Sequence, residues 1–142
     1  MAPLLRCLFA GLLLCGLTAA ARADDGALPA ERTQGSVIFV SGGIGLDESE
    51  AMKRAASRYS LSIEMSSSGG PRAEYVAGVK VDIRDQRGNT VLSTTSEGPF
   101  LLANLPPGQY SIDATWNGNS QQRKVAVADW INHDYSWRPA QM

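Results

Sequence analysis

Leu105-Pro106-Pro107-Gly108-Gln109-Tyr110-Ser111-Ile112-Asp113-Ala114-Thr115-Trp116 is the stretch that decides the fold class. Its two prolines stiffen a connection, and Gly108 supplies a backbone conformation closed to other residues. From Tyr110 the pattern alternates strictly. Tyr110, Ile112, Ala114 and Trp116 share one side and Ser111, Asp113 and Thr115 the other, which is the period of a strand with one buried face. Asn117-Gly118-Asn119 then makes a tight turn, Lys124 to Val127 is a further strand, and Tyr135-Ser136-Trp137 a last short one. Toward the N-terminus the same grammar repeats. Val79, Val81 and Ile83 alternate with Lys80, Asp82 and Arg84, and Asp85-Gln86-Arg87-Gly88-Asn89 turns the chain into Thr90 to Thr95. Glu97-Gly98-Pro99 is the next break, before a strand carrying Phe100, Leu102 and Leu105. Short strands with turn signals every eight to twelve residues or so predict a mainly β protein, a seven-stranded sandwich of two sheets.

The N-terminal part of this region is different. Val37-Ile38-Phe39-Val40 is a continuous apolar run suited to a buried strand, closed by Ser41-Gly42-Gly43-Ile44-Gly45. A helix is predicted over 47–58, with Asp47 as its N-cap, Glu50 completing a capping box, and Glu50 paired with Arg54. Ala51, Met52, Ala55, Ala56 and Tyr59 form its apolar stripe. Leu61, Ile63 and Met65 alternate with Ser62, Glu64 and Ser66 on a half-buried strand, and Ser66 to Arg72 is expected to be a mobile loop.

Residues Val79 to Ala114 resemble a carboxypeptidase regulatory-like domain, the transthyretin-like, Ig-like β-sandwich attached to metallocarboxypeptidases and found in many exported bacterial proteins. The match rests on Gly78 to Asp85, Gly88-Asn89-Thr90-Val91, Thr94 with Gly98-Pro99-Phe100, and above all the Leu-Pro-Pro-Gly-x-Tyr element at Leu105 to Tyr110. The resemblance implies a module that serves folding, stability or binding and is not the catalytic part. A hydroxyisourate hydrolase of the same fold uses a His-rich site and a Tyr-Arg-Gly-Ser chain end. This chain has one His and ends Trp137 to Met142, so that activity is not implied. Ser36 to Ser66 lie outside the resemblance.

The chain has 142 residues, 44% of them hydrophobic, and part of that apolar content is an address. Arg6, the uncharged run Leu8 to Leu17 and Ala21-Arg22-Ala23 follow the order of a secretory signal peptide, so residues 1–23 are expected to be removed on export to the periplasm. Residues 24–35 read as a flexible lead-in, and 36–140 as a single domain. Without the leader, 11 Lys and Arg face 14 Asp and Glu, and the basic residues are interleaved with acids, which argues against a nucleic-acid partner. Both cysteines, Cys7 and Cys15, fall in the leader, leaving no thiol for a disulfide, a nucleophile or zinc. Leu13 and Leu14 before Cys15 fit a lipoprotein signal poorly, and nothing after the leader is apolar enough to span a bilayer.

The candidate binding residues are Gly43 and Gly45 in the glycine loop and Trp130 and His133 near the C-terminus. The loop stands between a strand and a helix, where phosphate cradles occur, but Glu48 replaces the third glycine of a dinucleotide fingerprint and Asp47, Glu48 and Glu50 would repel a phosphate. Trp116, Tyr135 and Trp137 sit at inward positions by parity, whereas Trp130, beside Asp129 and Asn132, has the better claim to exposure. His133 with Asp134 allows a small hydrolase as a remote alternative, without a Gly-x-Ser-x-Gly elbow to support it. The expected protein is a non-catalytic envelope module, monomer or weak homodimer, without cofactor or metal. It would bind an envelope protein or glycan, or pair with a partner strand through its sheet edges.

Overall fold

A computed structural model describes residues 27–67 and 71–128 in full, and the backbone of 133–137. Its elements run β1 (Arg32–Gln34), β2 (Val37–Gly42), α1 (Leu46–Ala55) with a 3-10 turn (Ala56–Arg58), β3 (Leu61–Ser67), β4 (Glu74–Tyr75), β5 (Lys80–Asp85), β6 (Thr90–Thr95), β7 (Phe100–Asn104), β8 (Gly108–Trp116), β9 (Asn119–Val127) and β10 (His133–Trp137). One sheet has the order β1-β2-β7-β3-β10, with β4 added on β3, and the other the order β6-β5-β8-β9. All pairs are antiparallel except β10 with β3. The protein is therefore mainly β, sandwich-like, with one short helix.

Register explains how the layers form. β7 pairs with β2 on one side and β3 on the other, so Leu101, opposite Ile63, and Ala103, opposite Leu61 and Phe39, share the inner face. These residues join Val81, Ile83, Leu92, Ile112 and Val125 of the second sheet in one core. Phe100 and Leu102 project to the opposite face, where Val40, Met52, Ala55 and Tyr59 close a second, smaller core under α1. The run Phe100-Leu101-Leu102-Ala103 is thus buried on both faces, as expected of a central strand lacking alternation. Burying a side chain such as Met52, fully enclosed, contributes about 1.5–3 kcal/mol toward holding the helix on the sheet.

The deciding stretch folds as read. β8 carries Tyr110, Ile112 and Ala114 into the main core, with Trp116 partly buried at its edge. Asn117 (φ 48°) and Gly118 (φ 78°) form the two-residue turn into β9. The Tyr110 hydroxyl donates to the Pro106 carbonyl at 2.6 Å, four residues upstream. The ring thus ties the Pro-Pro connection to the strand it precedes, as a tyrosine corner does. At the far end of β5 the Asp85 carboxylate accepts from the Arg87 and Asn89 amides, both at 2.9 Å, and the Asn89 backbone contact is the main reason its pKa lies below the usual carboxylate value.

Four expectations need correction. There are ten strand segments rather than seven: the stretches read from the sequence supply eight of them, and β1 and β4, of three and two residues, are too short and polar to show a period. The lead-in of 24–35 is not flexible to its end: Arg32–Gln34 is β1, antiparallel to β2. Side chains rather than apolar burial hold it, through Arg32 with Glu97, Glu31 with the Tyr59 hydroxyl (2.5 Å), and the Gln34 amide with both backbone groups of Ser93 (2.6 and 3.2 Å). β3 is covered on both faces rather than half-buried, since Ser62 and Ser66 are enclosed along with Leu61, Ile63 and Met65. Ser62 lies opposite Leu102, on the side of the sheet that carries α1. The helix starts at Leu46 behind Gly45 with no side-chain cap, so Asp47 is not its N-cap. Its apolar stripe is as expected, and Glu50 lies 3.6 Å from Lys53. The leader 1–23 and residues 68–70 of the expected mobile loop lie outside the described residues.

The Tyr59 contact has a pH signature. Burial, then the hydrogen bond and negative charge of Glu31, push the phenol from 10.0 up to about 12. Because the folded state holds this proton more tightly than the unfolded chain, the stability this group contributes is full below pH 10 and is lost as pH rises from there to about 12. The loss is on the order of 2 kcal/mol. Tyr59→Phe should remove most of this alkaline slope in urea titrations, and an unchanged slope would contradict the assignment.

Candidate functional site

Between β2 and α1 the chain must turn from sheet to helix within a few residues, and it does so against the Phe100 ring. Gly43 has φ 102°, and a Cβ there would stand 2.4 Å from Phe100 Cδ2. Both conformation and space therefore restrict the position to glycine. The Gly43 N–H donates to the Glu48 side chain at 2.6 Å, so this carboxylate folds back from the helix start and ties down the loop.

That geometry turns the intervening apolar residues outward. Ile44 is 65% and Leu46 76% exposed, and Tyr75 on β4 faces them at 50%. Together with Ser49, Val76 and Pro99 they line a hollow of about 440 Å³, to which Gly43 and Gly45 contribute backbone. The Tyr75 ring in its wall lies 5.4 Å from the buried Phe100 ring, tilted by 57°, with Lys53 Nζ 5.9 Å from the Tyr75 centroid. Ser49 is only 8% exposed, and its hydroxyl has no hydrogen-bond partner among the described residues.

A second, larger hollow of about 560 Å³ lies by the β5–β6 turn, lined by Arg84, Gln86, Gln109, Tyr110, Ser111 and Lys124. Its lining residues are mostly polar or charged in type, although carbon makes up most of the exposed wall in both hollows, and Arg84 is already engaged with Asp113 at 3.0 Å. Size alone does not decide between the two. The large apolar side chains left exposed among the described residues are Ile38, Ile44, Leu46 and Tyr75, and three of these four converge on the glycine-loop hollow. Soluble surfaces seldom concentrate apolar side chains without a use for them.

Of the residues singled out from sequence, Gly43 and Gly45 line this hollow. Trp130 lies outside the described residues, and His133 is described by its backbone alone, in register with Leu61 at the start of β10. Ile44, Leu46, Ser49 and Tyr75 were missed. The signal for the first two was present, as large apolar residues flanking Gly45 in a loop, but two-residue β4 offers no period that could have marked Tyr75. Among the described residues no group of three or more His, Cys, Asp or Glu is placed to hold a metal, and no helix is long and apolar enough to cross a membrane.

No protein-family model matches the chain, and no curated protein matches it either.

Proposed function

We propose that the protein is a non-catalytic binding or accessory module of the cell envelope, exported to the periplasm by residues 1–23, and that its sandwich is of the transthyretin-like, carboxypeptidase regulatory-like type. The order of charge and apolar residues in the leader supports export. The Leu-Pro-Pro-Gly-x-Tyr element with its tyrosine corner supports the fold type. The observation that carries a binding role is the convergence of Ile44, Leu46 and Tyr75 on one hollow, built on a loop fixed by Phe100 and Glu48. The partner is an envelope protein or glycan that offers an apolar face.

The neutral dye Nile red tests this seat. It should brighten on the wild-type protein and lose most of that signal on the Ile44→Ser/Leu46→Ser variant. Because both side chains are exposed, the melting temperature should stay within about 2 °C. Undiminished dye binding would remove the hollow as the binding surface.

A second reading, strand pairing with a partner, draws support from the edges. β6 has its outer backbone at Ser93 occupied by Gln34, whereas nine-residue β9 pairs only with β8 among the described residues.

A further inference from the structure

The glycine-loop hollow is bordered by features that select among apolar ligands. The first is an open strand edge. β4 runs antiparallel to β3 with Tyr75 opposite Ser66, and the Val76 N–H donates to the Met65 carbonyl at 3.2 Å. Hydrogen-bonding direction alternates along an antiparallel ladder, so Tyr75 directs its own N–H and C=O away from β3. Among the described residues nothing pairs with them. An extended chain lying there would gain main-chain hydrogen bonds while placing alternate side chains toward the hollow.

The second feature is Ser49. Ser49 is 8% exposed and lines the hollow, and among the described residues its hydroxyl has no hydrogen-bond partner, which is uncommon for so enclosed a group. It fits a ligand that brings a donor or acceptor as well as carbon, as a peptide group does.

The third is charge. Asp47 and Glu74, each next to a lining residue, are exposed and make no ion pair among the described residues. Glu48 already fills the amide at Gly43. Around the hollow Asp47, Glu48, Glu50 and Glu74 stand against Lys53, which lies 3.6 Å from Glu50 and 5.9 Å from the Tyr75 centroid, Arg54 further along α1 and Arg72 ahead of β4, an excess of one carboxylate. The excess is small, so an anion finds only Lys53 to hold it, whereas a basic segment can pair with the exposed carboxylates of Asp47 and Glu74.

We propose that the hollow seats an extended segment of a partner protein in which one apolar side chain, flanked by lysine or arginine, enters between Ile44, Leu46 and Tyr75 while its main chain pairs along Tyr75. This rests on the hollow being a binding seat, and it adds the class of ligand.

The test is a ¹⁵N-detected NMR titration of the exported chain with blocked threonine-rich heptapeptides: leucine at the centre with a lysine two residues to either side, the same with glutamate for lysine, and the lysine peptide with serine for leucine. The lysine-leucine peptide should shift the amides of Ile44, Leu46 and Tyr75 and bind about tenfold tighter than the glutamate peptide, with the difference shrinking at high salt. The serine peptide should not bind. Asp47→Asn/Glu74→Gln, both exposed, should cut lysine-peptide affinity about threefold or more and leave Nile red unaffected. Equal or tighter binding of the glutamate peptide, or shifts mapping elsewhere, overturns the proposal. If Nile red binds the hollow but no lysine-leucine binding appears at millimolar peptide, the ligand class is wrong and the seat stands. If the dye fails as well, both are wrong.

Discussion

Leu101→Ala is expected to destabilise the protein by roughly 3–4 kcal/mol, lowering the melting temperature by on the order of 10–15 °C. Leu101 has no solvent exposure, lies in register with Ser41 on β2 and Ile63 on β3, and faces the core between the sheets. Truncation there removes contacts to both sheets, and the flanking backbone ladders leave little freedom for the cavity to collapse. Ile38 on the neighbouring strand is the control. It is 40% exposed, so Ile38→Ala should cost less than about 1 kcal/mol. Comparable losses from the two variants in urea denaturation would contradict the assignment of Leu101 to the central layer.

Gly98→Ala is the second large effect, and it couples fold to site. Gly98 needs no unusual φ, but a Cβ there would stand 2.3 Å from the Gly42 carbonyl oxygen and 2.4 Å from its carbon. Both neighbours are backbone, so neither can swing aside. The segment is also pinned on either side, by the Glu97 N–H on Ser41 Oγ at 2.9 Å and by the Met65 N–H on the Pro99 carbonyl at 2.7 Å. The expected cost is about 2–3 kcal/mol, from overpacking between strands that cannot separate freely. Because Pro99 lines the hollow and Gly42 precedes its loop, Nile red binding should weaken too. Gly45→Ala isolates the other kind of penalty. Gly45 has φ 85° and ψ 163°, a region essentially confined to glycine, and an added methyl would find nothing within 4 Å, so only conformational strain of about 1–3 kcal/mol arises. A cost below about 0.5 kcal/mol for Gly98→Ala would contradict the steric account.

These sites show what the sequence could and could not disclose. The Tyr110 to Trp116 alternation, the Asn117-Gly118 turn and the Ala51, Met52, Ala55 stripe were legible because each rests on a local period or a local backbone requirement. β1 was not, because Arg32 and Gln34 are held by Glu97 and Ser93, more than fifty residues away, and nothing local marks such pairing. β3 read as half-buried because its serines obey the alternation of an exposed face, and only the helix layer on that side explains their enclosure. The glycine loop was recognised, yet Asp47 looked like the cap because capping boxes are defined by spacing, and spacing could not show Glu48 reaching back to Gly43. Tyr75 became part of a site only when β4 docked on β3 and brought it to Phe100.

The central claim is that partners meet this protein at the glycine-loop hollow. Site-specific photocrosslinking in cells tests it most directly, with p-benzoylphenylalanine at position 46 in the hollow and, separately, at position 86 in the larger one by the β5–β6 turn. Position 86 lies past the far end of six-residue β5, about 20 Å along the strand. Discrete adducts with an envelope component from position 46 and none from position 86 are the predicted result. Adducts from position 86 alone, or from neither, would contradict it.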